Sequence, residues 1–514
     1  MRRTVHMTSV LIALLLSFVG CQNGCQTTPT PVNLPEVGKS IVTWGDNHSG
    51  QLGDGSNVSN RPYIGALSLA GPWHVVAAGG EHALALKTDG TVWAWGENGS
   101  GQLGIGTTNN ASQPFTSQID HVVAIAAGGL HSLALKNDGT VWAWGENDDG
   151  QLGEGTNNDA KSPVQVKAFT LVRAVAIAAG DKHSLAVDGN GEVWAWGKNE
   201  FGQLGDNTIV SHSTPAKVLQ LNTVTHIAAG ATHSLARKSD GSVWAWGDPR
   251  HLQLGGGGGP SPSMTPIQVQ DGLPTTPPFF LNNIVSLAAG GDHNLALNNS
   301  NQISAWGQDK FLECSGVGSG LGAVAPDGTN LSFAQIVQGI TGKIIGISAG
   351  THHSLALTDD DRVWAWGRND QGQLGDSTLS DPFGIFPVKM LRGAEAIAAG
   401  GKHNLALVMP ALKTDKTALS FGNVQINNSA ALSVILLNEG VIPVNINSVV
   451  ISGPTEFSVA PGCSIPQQLA AAASCTLQVT FRPTSAGNRT AKLLINNDSP
   501  MADLEVALAG NGVQ

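Results

Sequence analysis

The feature that most constrains this chain is a motif it repeats. "HSLALKNDGTVWAWG" at residues 131–145 has close counterparts along most of the sequence. Gly-Gly-x-His-x-Leu-Ala-Leu or a near variant centres on His82, His131, His183, His233, His293, His353 and His403. A Trp-Gly pair follows thirteen residues after the first six of these, at Trp95, Trp144, Trp196, Trp246, Trp306 and Trp366. Trp44 has no such His ahead of it, and His403 has no Trp-Gly behind it. Successive histidines are 49, 52, 50, 60, 60 and 50 residues apart. A period of this length marks stacked supersecondary units, each burying the apolar face of the next.

One copy shows what the unit builds. Residues 131–145 alternate apolar and small or polar side chains, the period of a strand. Asp138-Gly139 suits a two-residue hairpin turn, since both central positions need positive φ. That turn places Leu135 opposite Trp142 and Leu133 opposite Trp144. All four then share one face, with Ala134 and Ala143 on the other. The turn recurs at Asp89-Gly90, Asn190-Gly191 and Asp240-Gly241, and degrades to Ser300-Asn301 and Asp360-Asp361. The segment before each His, such as "VVAIAAGG" at 122–129, reads as another strand whose small residues suit crowding near a central axis. A turn-rich "GQLG" loop follows most Trp-Gly pairs, and then a short apolar run. This amounts to about four strands per repeat, a propeller blade. The two orphans complete the count. The chain enters with half a blade at 41–55 and leaves with the other half at 396–408. Their pairing makes a seventh blade and closes the ring, leaving no open sheet edge.

With Gly at 65 of 514 residues and charged residues at 13%, turns and short strands are favoured over surface helices. The net charge of -11, with no basic run beyond residue 3, argues against a nucleic-acid partner. The chain opens "MRR", continues with "VLIALLLSFVG", too short for a comfortable membrane span, and reaches Cys21. Residues 22–39 are polar and Pro-rich, as a tether is. From about 412 the repeat gives way to some 100 residues of alternating strands separated by turn signals, expected to form a β-sandwich. Cys463 and Cys475 lie twelve apart in this tail and are expected to pair if the compartment is oxidising. Cys25 and Cys314 remain unassigned, and no Cys-x-x-Cys spacing points to a metal.

Three resemblances attach to these residues. The repeat resembles that of the regulator of chromosome condensation family, which implies a seven-bladed β-propeller over residues 40–409. The copies at 248–258 and 308–322 depart most from the family pattern. Residues 1–21 resemble a bacterial lipoprotein signal, with Phe18-Val19-Gly20-Cys21 in place of the usual Leu-initiated lipobox. This implies removal of residues 1–20, lipid on Cys21, and a tether over 21–39. Gln22 leans toward the outer membrane. The tail at 412–514 resembles the choice-of-anchor D type of immunoglobulin-like domain, through "LSFGNV", "SCTLQVTFRPTSAG" and "LAGNG".

The chemistry of the repeat residues is architectural in this reading. Seven His at equivalent places lie on a ring too wide to share an ion, and each is expected to hydrogen-bond backbone and hold its blade. The Ser after most of them recurs too often to be a nucleophile, and no third catalytic partner occurs once only. The Asp of each "DG" serves the turn. "TDDDR" at 358–362 lacks calcium-loop spacing, and "GGGGGP" lacks the Lys-Ser/Thr of a phosphate loop. Tyr63 and Trp73 fall outside the motif, as local packing in preference to binding contacts. No catalytic residue, metal site or cofactor is expected. Function should lie where copies differ, and the long connections at 255–282 and 308–340 are the candidate contacts. The expected role is non-catalytic: a monomeric, lipid-anchored cell-surface scaffold binding a protein or glycan, as a similar propeller does in type II β-lactamase inhibitor proteins. Nucleotide exchange on a small GTPase, the eukaryotic family role, and a polysaccharide-acting enzyme are the alternatives.

Overall fold

The computed structural model describes residues 39–514 except 59–60, 171, 257–260, 273–278, 312–313, 315–330, 382–383, 389–390, 463–465 and 499–503. The signal and tether with Cys21 and Cys25, and Cys463, lie outside the described residues. The chain divides into two units, the repeat region and a tail from Val408.

Among the described residues the repeat region is all-β apart from one short 3-10 turn, Lys167–Thr170. Its strands form four-stranded antiparallel sheets, each from one repeat. The second is representative: Val122–Ala127, His131–Lys136, Val141–Gly145 and Ala160–Gln165, hydrogen-bonded in chain order. The first sheet starts at Trp73–Ala78, the third at Ala174–Ala179, the fourth at Val224–Ala229, the fifth at Ile284–Ala289 and the sixth at Ile344–Ala349. The seventh joins both ends of the region. Ala394–Ala399 and His403–Val408 pair with Lys39–Gly45, which pairs with Arg61–Gly71.

The hairpin register differs from the sequence expectation by one residue. Ser132 lies opposite Trp144, Leu133 opposite Ala143, Ala134 opposite Trp142 and Leu135 opposite Val141. The cause is the turn. Lys136 and Thr140 close a three-residue loop, Asn137-Asp138-Gly139, in which only Gly139 adopts positive φ, at 83°. This is the G1-bulge hairpin, and its extra residue swaps the faces. Asp138 serves by accepting from the Thr140 N–H (2.9 Å) and hydroxyl (2.7 Å). Where Gly is missing, Asn301 and Asp361 take the same left-handed place, at 67° and 63°.

The tryptophans therefore share a face with Ser132 and Ala134, and the leucines occupy the opposite face. Sheets stack through this asymmetry. Trp144 packs on Leu84, Leu86, Val92 and Ala94 of the first sheet, and Trp196 on Leu133, Leu135, Val141 and Ala143 of the second. Trp95 packs on Ile41, Leu405 and Leu407 of the seventh. Trp44, Trp95, Trp144, Trp196, Trp246, Trp306 and Trp366 are all fully buried. Trp73 is buried in the same layer, as local packing requires.

Backbone hydrogen bonds link the first strands of successive sheets. Gly80 donates to Gly128 O (3.0 Å), Gly129 to Gly180 O (3.1 Å), Asp181 to Gly230 O (3.2 Å) and Ala231 to Gly291 O (3.0 Å). Gly291 donates to Gly350 O (3.2 Å), Thr351 to Gly400 O (3.2 Å), and Gly401 to Gly79 O (2.9 Å), returning to the first sheet. The glycines are required by this crowding. A Cβ on Gly128 would stand 2.5 Å from Gly180 O and strike the His131 ring.

The tail forms two sheets around one core. Leu412–Thr414, Ala430–Asn438, Ser474–Phe481 and Phe457–Pro461 make one. The other holds Ala418–Gln425, Leu504–Val513, Gly487–Asn497, Val444–Ser452 and Gln467–Leu469. Alternate residues of both, among them Phe421, Val434, Leu477, Phe481, Leu493 and Val506, fill the space between. Cys475 is disulfide-bonded.

Candidate functional site

The seven repeat histidines are fully buried, and each of six reaches the next sheet. Nε2 of His82, His131 and His183 lies 2.9 Å from Oγ of Ser132, Ser184 and Ser234. His293 meets Ser354 in the same way (2.9 Å). His233 and His353 meet the Oδ1 of Asn294 (2.6 Å) and Asn404 (2.7 Å). Ser132, Ser184 and Ser234 each spend their own proton on a Gln carbonyl, at Gln102, Gln151 and Gln203. Their oxygens are thus acceptors, and the imidazoles carry hydrogen on Nε2. The same Gln102, Gln151 and Gln203 carbonyls accept from the indole N–H of Trp144, Trp196 and Trp246 (each 2.8 Å). So the Nε2 partner of six histidines is a side chain of the neighbouring sheet, beyond the backbone contact expected from sequence, which His131 has at Asp181 and His403 at His82. The Ser recurs because it accepts that bond. Burial holds His82, His183 and His293 down at a pKa of about 3, and His131, His353 and His403 at about 4. They are neutral at physiological pH and bind sheet to sheet. Among the described residues no three His, Cys, Asp or Glu side chains are grouped to hold a metal ion.

His403 breaks the chain of bonds. Its next-sheet partner position is Ala83, so its buried ring meets no side-chain acceptor on that sheet, and the backbone of His82 is what reaches it.

The long connections depart from the repeat in a different way. Within a sheet the second strand runs from its His at one end to the hairpin turn at the other. The connection leaving the fourth sheet after Gln268 starts at this turn end, because Val269 donates to Val243 O (2.9 Å). It then runs back on itself. Asp271 donates to Phe279 O (2.9 Å), Gln270 bridges Phe280, and Asp271 bridges Ala334 of the fifth sheet. The two candidate stretches therefore touch at Asp271 and Ala334. Phe279 is 69% exposed beside this contact, and Phe280 and Ile336 are exposed as well. Within the other altered stretch, Asp309 replaces the loop Asn of five other copies. Its Oδ1 still accepts from the N–H of Cys314 (2.9 Å), which is buried at the Leu position of the Gln-Leu-Gly loop.

Two further departures escaped the sequence reading. His226 stands where the other copies have Val75, Ala124, Ala176, Ser286, Gly346 or Ala396. Arg237 stands where they have Leu86, Leu135, Val187, Leu297, Leu357 or Leu407. The two lie directly opposite each other in the fourth sheet. Aligning the copies column by column would have exposed both, since a polar pair here interrupts an otherwise apolar or small register.

Comparison with known proteins follows the same division. The family model described as the RCC1-like domain matches residues 111–430, and the regulator of chromosome condensation (RCC1) repeat matches residues 74–102. A model described as Cep192 domain 4 matches the tail, residues 409–513. The human E3 ubiquitin-protein ligase HERC2 is 34% identical over 384 residues, covering 71% of this chain but only 8% of that protein. The Arabidopsis thaliana ultraviolet-B receptor UVR8 is 30% identical over 373 residues, 72% of this chain and 69% of UVR8. Among solved structures, human WBSCR16 superposes with a TM-score of 0.63 at 24% identity, covering 72% of this chain and 98% of its own. Prp20p of Saccharomyces cerevisiae, solved in a study of its binding to Gsp1p and histones, gives 0.62 at 25%, covering 72% and 91%. A chain built from these repeats, matched over more than half its length, belongs to the RCC1-like domain family.

Proposed function

We propose that this chain is a non-catalytic scaffold that holds a protein partner on the rim formed by its fourth and fifth repeats. The observation that carries this is the meeting of the two long connections at Asp271 and Ala334 beside the exposed Phe279. Aromatic side chains left in water at an irregular loop are the anchors a protein interface uses. The scaffold is read as a closed seven-bladed propeller. The hydrogen bond from Gly401 to Gly79 O and the packing of Trp95 on Leu405 support closure. The tail is read as an immunoglobulin-like module of the choice-of-anchor D type, with Cys463 pairing Cys475. Cys21 is read as the lipid-bearing residue of an envelope lipoprotein, the tail or propeller facing outward. The yeast relative, studied for binding to Gsp1p and histones, is in keeping with a protein partner.

The test is a pull-down from envelope extract and culture medium with the mature chain and with variants lacking 273–278 or 315–330, read by mass spectrometry. A partner captured by the mature chain and lost on either deletion is the expected result. A partner retained equally by both deletions would sink the rim assignment. A second reading is nucleotide exchange on a small GTPase, the eukaryotic family role that the repeat resemblance implies. That reading requires a cytosolic chain with unmodified Cys21, which intact-mass measurement of the native protein decides.

A further inference from the structure

Several cations of the repeat region pair with carboxylates. Lys182 pairs with Glu146 (2.9 Å), Arg250 with Asp248 (2.7 Å), Lys217 with Glu192 (2.6 Å) and Arg368 with Asp370 (2.6 Å). Arg237 differs, and not only because it replaces a leucine. Its Nε and Nη2 donate to Thr225 Oγ1 (3.2 and 2.9 Å), and its Nη1 to the carbonyls of Ile284 (3.2 Å) and Val285 (2.6 Å). Every acceptor is neutral. Among the described residues no carboxylate pairs with it. Burial alone weakens its hold on the proton, with no acidic neighbour opposing. The charge thus remains, in a protein whose net charge is -11.

The guanidinium is also fixed in place. Four of its five N–H groups are used, which locks the plane across two sheets and leaves one Nη2–H. Opposite it, burial and the Arg237 charge push His226 down to a pKa of about 4, so the imidazole adds no second cation, and its Nδ1 is buried without a partner. The surroundings are apolar and turned outward. Each first strand carries a bulge at its second residue, where the register to the neighbouring strand shifts. A bulge re-aims the side chain it carries. In the third, fourth and fifth sheets these residues are Val175 (51% exposed), Thr225 (exposed) and Val285 (44% exposed). Arg237 therefore sits at the turn end, where the 269–283 connection rejoins the fifth sheet at Ile284.

We propose that Arg237, with Thr225, His226 and the exposed Val175 and Val285, is a carboxylate-binding site that takes an acidic side chain of a protein partner, flanked by apolar residues. A carboxylate supplies the missing counter-charge and accepts the remaining Nη2–H, and the valines cover its neighbours in sequence. This rests on the scaffold reading and adds a chemical class to its partner.

The test uses calorimetric titration of the full chain with a capped hexapeptide of alanine and valine carrying one glutamate. Its glutamine counterpart and inorganic phosphate are titrated alongside. Saturable binding of the glutamate peptide is expected, weakened about tenfold or more by glutamine, since a hydrogen bond to a charged group is worth at least that factor. Arg237→Leu restores the residue type of five other copies, so it should fold, with an unchanged circular dichroism spectrum, and lose the same factor. Arg237→Lys keeps charge without the fork and should lose part of it. No saturable binding of the glutamate peptide overturns the inference, as does equal binding by Arg237→Leu. Phosphate bound as tightly as the peptide overturns the carboxylate assignment. In the pull-down, a partner lost on loop deletion but kept by Arg237→Leu overturns this site and leaves the scaffold reading standing.

Discussion

Six of the seven repeat histidines have a side-chain acceptor on the next sheet, and the seventh can be given one. Ala83 occupies in the first sheet the place of Ser132 in the second. It lies opposite Trp95 as Ser132 lies opposite Trp144, and it is fully buried. Gln51 O, which accepts from the Trp95 indole at 2.9 Å, stands where Gln102 O receives both Trp144 and Ser132. In Ala83→Ser the new hydroxyl can accept from His403 Nε2 and donate to Gln51 O. A buried donor left without an acceptor costs about 1–3 kcal/mol, and a made hydrogen bond contributes about 1 kcal/mol net. Burying the hydroxyl itself offsets part of the gain, so about 1 kcal/mol of stabilisation is expected. The converse change, Ser132→Ala, removes the acceptor of His82 and should cost about 1–3 kcal/mol. Guanidinium unfolding followed by tryptophan fluorescence reads both, because all seven repeat indoles are buried. In a region of this size 1 kcal/mol moves Tm by only a degree or two, so the denaturant midpoint at unchanged slope is the better measure. Ala83→Ser neutral or destabilising, beside a costly Ser132→Ala, would refute the claim that His403 lacks the acceptor its counterparts have. A harmless Ser132→Ala would refute the energetic role of the whole belt.

Two further outcomes follow from the same geometry. Burial holds His82, His183 and His293 at about 3 and His131, His353 and His403 at about 4 when folded, and lowers His233 as well, against about 6.5 when unfolded, so below pH 6.5 the unfolded chain binds more protons. Stability should be full above pH 6.5 and fall as pH drops toward 4, each histidine contributing up to about 1.4 kcal/mol per pH unit. Denaturant midpoints across pH 4–8 check this, and a flat profile would contradict it. Gly128→Ala would place its methyl against Gly180 O, and overpacking at such a site costs about 1–3 kcal/mol or more. Its thermal midpoint should fall well below that of Gly99→Ala, where a Cβ meets nothing within 4 Å.

How much of this was legible in advance follows from what repetition reveals. The paired orphans, Trp44 and His403, foretold that Lys39–Gly45 and His403–Val408 would share a sheet, since a repeat cut in two has one way to be made whole. The four-strand unit, the buried tryptophans and the need for small residues before each His were likewise local consequences of pattern. The face assignment was not legible, because Asp-Gly fits hairpin loops of two or three residues and one residue decides which side chains lie together. The role of Ser132 was also hidden. Its partner is a histidine 50 residues away on another sheet, and only stacking brings them together. The sequence by itself determined the all-β unit, its number of copies and the division from the tail. The tertiary structure decided which copy is incomplete, at Ala83 and His403, and where the Arg237 guanidinium is held between sheets. Those depend on neighbours far apart in the chain, and strand periodicity carries no information about what the next sheet presents.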